Sequence, residues 1–95
     1  MPHSFAQLIE KENPTPEEVL ETLKDYADTG LTIDAETVNT LISRANPSDQ
    51  QLNRIEEEAT KGADDQRERG CLGHGEEYLA VAIFVQSLKN RRCFP

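Results

Sequence analysis

Apolar positions recur at helical spacing in five stretches of the chain, and most stretches are opened or closed by helix punctuation. Phe5, Leu8 and Ile9 share one face after Ser4, and Ser4 with Gln7 has the spacing of a capping box. This first segment is short and ends before Asn13-Pro14. The second is the most fully marked. Thr15 is a good N-cap, Pro16 suits the first helical position, and Glu18 completes a capping box. Val19, Leu20, Leu23, Tyr26 and Ala27 follow at helical spacing, and Gly30 supplies a left-handed stop. The spacing therefore predicts a helix from Pro16 to about Asp28. A third begins near Asp34, buries Val38, Leu41, Ile42 and Ala45, and stops at Asn46-Pro47, because a residue before proline is pushed out of the helical region. Leu31 and Ile33 are expected to pack under the link that leads into it, with a short strand as the alternative.

The fourth segment opens on Ser48, with Gln51 at capping-box spacing. Its apolar stripe of Leu52, Ile55 and Ala59 is narrow and the rest is charged. A surface helix that contributes little core is the expectation. Gly62 reads as its stop, and residues 63–69 either extend the helix or run as a charged loop. Three glycines among residues 70–75 predict a turn. The last segment is apolar without a break from Tyr78 to Val85, so periodicity cannot separate a buried strand from a buried helix. Leu88 at helical spacing decides for helix, as do acids at the start and Lys89, Arg91 and Arg92 at the end. No second strand of matching length exists to pair with it. A helix apolar on every side is a central one. The expected fold is all-α: a small bundle of four to five short helices around a buried C-terminal helix, with residues 1–95 forming a single helical domain.

Composition bounds the class. The 95 residues hold 21 Leu, Ile, Val and Phe, about 22%, just above the level of roughly 20% below which charged chains stay disordered. The core is therefore thin. No apolar run approaches the ~20 residues of a membrane span. No basic segment followed by an apolar stretch marks a secretory signal, and two cysteines are too few for a disulfide scaffold, so a cytoplasmic setting is expected. With 18 acids against 10 bases the net charge is -8, which argues against direct nucleic-acid binding. The charge is polarised. Residues 1–88 carry all 18 acids and seven bases, net -11, while residues 89–95 carry three bases.

Candidate chemistry is sparse. Cys71 and His74 have C-x-x-H spacing, and His3 and Cys93 are the other residues that could join a zinc site, but the scatter over both termini and one loop is unlike true zinc spacings. The two cysteines read as unpaired thiols: a helix over residues 76–91 separates its ends by roughly 22–24 Å, against the ~7 Å limit of a disulfide. The glycine turn before a helix could cradle an anion, yet Glu76 and Glu77 repel one. No P-loop or dinucleotide fingerprint occurs. The chain is read as non-catalytic and without a cofactor.

The stronger signal is the acidic surface, densest at Glu56, Glu57, Glu58, Asp64, Asp65 and Glu68. Such a surface keeps a small protein soluble, and it also steers encounters with a basic partner. The basic tail with Arg91, Arg92 and Phe94 could serve as a short docking peptide. These residues point to a protein-interaction module: an inhibitor, adaptor or immunity-type protein whose partner carries a basic surface. Two alternatives remain at this level. One is a DNA mimic that blocks a nucleic-acid-binding protein. The other is a metal- or thiol-linked regulator using Cys71, His74 and Cys93. Homodimerisation through a surplus apolar face would enlarge the small core.

Overall fold

The computed structural model describes residues 4–70 and 72–93; of Leu72, His74, Arg92 and Cys93 it describes the backbone only. Five helices follow in order: α1 (Phe5–Ile9), α2 (Pro16–Thr29), α3 (Ala35–Ala45), α4 (Asp49–Glu68) and α5 (Leu72–Cys93). No strand occurs among the described residues.

The caps form as their residue types require. Ser4, Thr15 and Ser48 each accept a hydrogen bond from the N3 backbone N–H, while the side-chain oxygens of Gln7, Glu18 and Gln51 accept one from the cap's own backbone N–H. Gly30 closes α2 in the left-handed region, at φ 72°. Asn46 closes α3 the same way, at φ 50°. The start of α3 is different. Asp34 makes no side-chain cap bond. The Ala35 N–H instead donates to Glu77 Oε2 on α5, at 3.3 Å.

The fold is an all-α bundle. The pair α2–α3 packs on the antiparallel pair α4–α5, with α2 beside α4 and α3 beside α5, while α1 lies on the edge formed by α2 and α3. The Phe5 ring meets Tyr26 at 4.7 Å between centroids, and Arg44 Nη1 donates to the Ile9 carbonyl, which fastens both ends of α1. The molecule measures 40 × 31 × 19 Å, two helix diameters in its thin direction. One hydrophobic cluster runs through it, with Val19, Leu23, Val38, Leu41, Ile42, Leu52, Ile55, Tyr78, Val81 and Val85 all fully buried.

Four expectations are corrected. Gly62 does not end α4, which continues to Glu68. A Cβ at Gly62 would stand 2.5 Å from Tyr78 Cδ1, so this glycine makes room for a ring rather than a turn. The turn expected over residues 70–75 is confined to its start: α5 begins at Leu72, and Gly75 is buried against α4, where a Cβ would come 3.3 Å from the Ala63 carbonyl oxygen. α4 is not a peripheral helix. It sits between α2 and α5, and Gly62, Ala63 and Gln66 extend its buried face past Ala59. Finally, Leu31 is 51% exposed, since only Ile33 of that link turns inward.

The unbroken apolar run of α5 is buried on one face, through Tyr78, Val81, Ala82 and Val85. Its opposite face is open: Leu79 is 41% and Ile83 55% exposed.

Candidate functional site

The acids of α4 are arranged by the way that helix is held. Its buried face is fixed between α2 and α5, so the remaining positions, all polar or charged, point outward. There an open depression of about 650 Å³ is lined by Ala27 and Asp28 of α2 and by Glu56, Glu57, Thr60, Lys61, Asp64, Asp65 and Glu68 of α4. Six carboxylates thus surround a single ammonium group.

Three of the six are engaged within the chain. Lys61 Nζ donates to Asp28 Oδ1 at 3.0 Å and ties α4 to α2. That carboxylate, helped by Glu58 and Asp65, pushes the Lys61 ammonium above its ordinary range. Arg69 Nε stands 3.3 Å from Asp65 Oδ2, one helical turn away. Lys89 Nζ on α5 donates to Glu56 Oε1 at 2.6 Å and to Asn53 Oδ1 at 2.8 Å, and both charged groups are mostly buried. Glu57, Asp64 and Glu68 are exposed and make no ion pair among the described residues. Their spacing of seven and four residues sets them in one row along the helix, with Lys61 between the first two.

The predicted acids do not all meet. Glu56, Glu57, Asp64 and Asp65 share the depression. Glu58 does not line it; together with Glu57 it lines a neighbouring groove with Arg54 and with Glu17, Leu20, Glu21 and Lys24 of α2. Arg91 is exposed near the end of α5 and does not line the depression. Phe94 and the Arg92 side chain lie outside the described residues, as do Cys71 and the side chains of His74 and Cys93. Among the described residues, no group of three or more His, Cys, Asp and Glu side chains is placed to hold a metal ion.

One lining acid was not singled out by the sequence. Asp28 belongs to another helix, and only the packing of α2 on α4 brings it in. Glu68, part of the charge run read from the sequence, joins the row because α4 continues past Gly62.

Comparison with protein-family models, with curated proteins and with solved structures finds no match. The site is thus read from its own chemistry. A row of carboxylates that make no ion pair among the described residues, on a helix held from both sides, is suited to meeting cationic side chains with little reorganisation. No described helix is long and apolar enough to cross a membrane.

Proposed function

We propose that this chain is a non-catalytic protein-interaction module that receives a basic protein surface on the outer face of α4. The observation that carries the reading is the exposed row of Glu57, Asp64 and Glu68 along the depression between α4 and α2. The internal ion pairs of Asp28, Asp65 and Glu56 support it, since they hold the surroundings of the row in place without neutralising it. Uncompensated acids on a fixed helix raise the encounter rate with a cationic partner and select against acidic ones. In this reading the protein is a cytoplasmic inhibitor, adaptor or immunity-type protein, in keeping with its two cysteines.

The test is capture of partners from the native cell by the wild-type chain and by a Glu57→Lys, Asp64→Lys, Glu68→Lys variant. A second variant with Glu10→Lys, Glu12→Lys and Asp25→Lys, all exposed positions outside the depression, matches its net charge. The reading expects a partner that the first variant loses and the second keeps, with binding weakened by salt. Equal capture by all three chains would overturn it. Displacement of that partner by duplex DNA would mark it as a nucleic-acid-binding protein and favour the DNA-mimic form of the same reading.

A further inference from the structure

The outer face of α5 is the uncharged surface of a strongly charged molecule. From Tyr78 to Leu88 no residue carries a charge, in a chain whose net charge is -8. The inward positions of this run are explained by the core. The outward ones are not: Leu79 and Ile83 are 41% and 55% exposed, with Ser87 exposed one turn beyond. Ala80, Ile83 and Ser87 recur at spacings of three and four, so they form one stripe, with small residues on both sides of Ile83. Small neighbours allow a second helix to approach to about 8 Å, the close end of ordinary helix packing.

The ends of the stripe carry opposite charges. Glu76 and Arg91 are both exposed, and neither makes an ion pair or a side-chain hydrogen bond among the described residues. Their neighbours are already occupied, Glu77 by the Ala35 N–H and Lys89 by Glu56. The midpoint between positions 76 and 91 falls between Ile83 and Phe84. A two-fold axis there, between antiparallel copies of α5, sets Glu76 of each copy opposite Arg91 of the other. A parallel pair would set Glu76 on Glu76 and Arg91 on Arg91. Two molecules of charge -8 repel over most of their surfaces, and this face lets them meet without opposing acids.

We propose that the occupant of this face is a second copy of the chain, paired antiparallel through Leu79, Ala80, Ile83 and Ser87 and closed at each end by Glu76 and Arg91. The interface is isologous, as closed two-fold dimers require. It uses none of the α4 row, so the two proposals stand or fall separately.

The test is the mass of the full chain by sedimentation equilibrium from micromolar to millimolar concentration, with reductant present so that a thiol link is not mistaken for the interface. The wild type is expected to dimerise. Ile83→Glu and Ser87→Glu, both at exposed positions, are each expected to raise the dimer Kd at least about tenfold, with helical circular dichroism unchanged. Glu76→Arg and Arg91→Glu should each weaken the dimer, and the two together should restore it. A wild type that stays monomeric throughout overturns the proposal and leaves the face to another protein. A dimer indifferent to Ile83→Glu and Ser87→Glu overturns it too, and one not restored by the double charge exchange overturns the antiparallel order.

Discussion

The ring of Tyr78 lies over Gly62 so closely that a Cβ on the glycine would reach within 2.5 Å of Tyr78 Cδ1. The ring is fully buried, and its hydroxyl donates to the Leu31 carbonyl at 2.6 Å, so it has nowhere to withdraw. Alanine is the better helix former by about 1 kcal/mol, but overpacking a core costs ~1–3 kcal/mol, and both this ring and α4 are anchored. Gly62→Ala is therefore expected to lose up to about 2 kcal/mol net. At Gly73 a Cβ meets nothing within 4 Å. Gly73→Ala should gain a few tenths up to about 1 kcal/mol. Urea midpoints moving in opposite directions would bear out both, and a more stable Gly62→Ala would show the ring to be elsewhere.

Tyr78 also sets an alkaline limit. Burial, with smaller contributions from Tyr26 and Asp65, pushes its phenol from an ordinary value of 10 up to about 12. The folded state thus holds this proton more tightly than the unfolded chain does. Its contribution is complete below pH 10 and is lost as pH rises from 10 through about 12. Tyr78→Phe removes the hydrogen bond, at a cost of about 1 kcal/mol, and removes this pH dependence. The difference between the phenolate absorbance titrations of the two proteins should show a step near pH 12. A step near 10 would contradict the burial.

Acid stability should depend on Glu18. The Lys11 ammonium donates to its carboxylate, and the Thr15 backbone N–H and hydroxyl donate to it as well, lowering its pKa from 4.5 to about 2. Here the unfolded chain binds the proton more tightly. The contribution is present above pH 4.5 and is lost as pH falls through about 2. Glu18→Ala breaks the capping box of α2 and should cost about 1 kcal/mol at neutral pH. Its stability should also change less than that of wild type on acidification. Chemical unfolding at a series of acid pH values measures both effects, and parallel curves for the two proteins would sink the assignment.

The N-terminus of α3 is capped from a distance. Asp34 spends its Oδ2 on the Thr37 hydroxyl, at 2.8 Å, and Glu77 of α5 serves the Ala35 N–H instead. Glu77→Ala should cost about 1 kcal/mol and fray the first turn of α3. Amide exchange should then quicken at the start of α3 more than at its end. Glu77→Gln keeps an acceptor and should restore most of the protection.

The sequence is most legible where each signal is local. α2 carries its cap, first-turn proline, apolar stripe and stop within 16 residues, and the helix forms nearly where they place it. The glycines at positions 62, 73 and 75 have the same local appearance as the true stop at Gly30. Two of them serve contacts with a helix that the local pattern does not show. Glycine in a helix costs about 1 kcal/mol, and at Gly62 and Gly75 it permits the close packing of α4 and α5. The acids of the site were visible as a charge run. Their sorting was not, because the pairing of Glu56 with Lys89 and of Lys61 with Asp28 spans some thirty residues of chain. The open face of α5 was hidden by its own apolarity, since a run without polar positions carries no mark of which side meets the core.

The seat of Tyr78 on Gly62 also works as a key for register. Sliding α5 by one turn along α4 would carry the ring about 5.4 Å, onto Glu58 or Gln66 instead of the one position in α4 that lacks a side chain. An apolar seam alone tolerates such slippage. A notch that admits one aromatic ring rejects it, and the same ring reaches Leu31 only when it is seated. Alignment of the α4–α5 hairpin and closure of the link between α2 and α3 thus depend on the same ring.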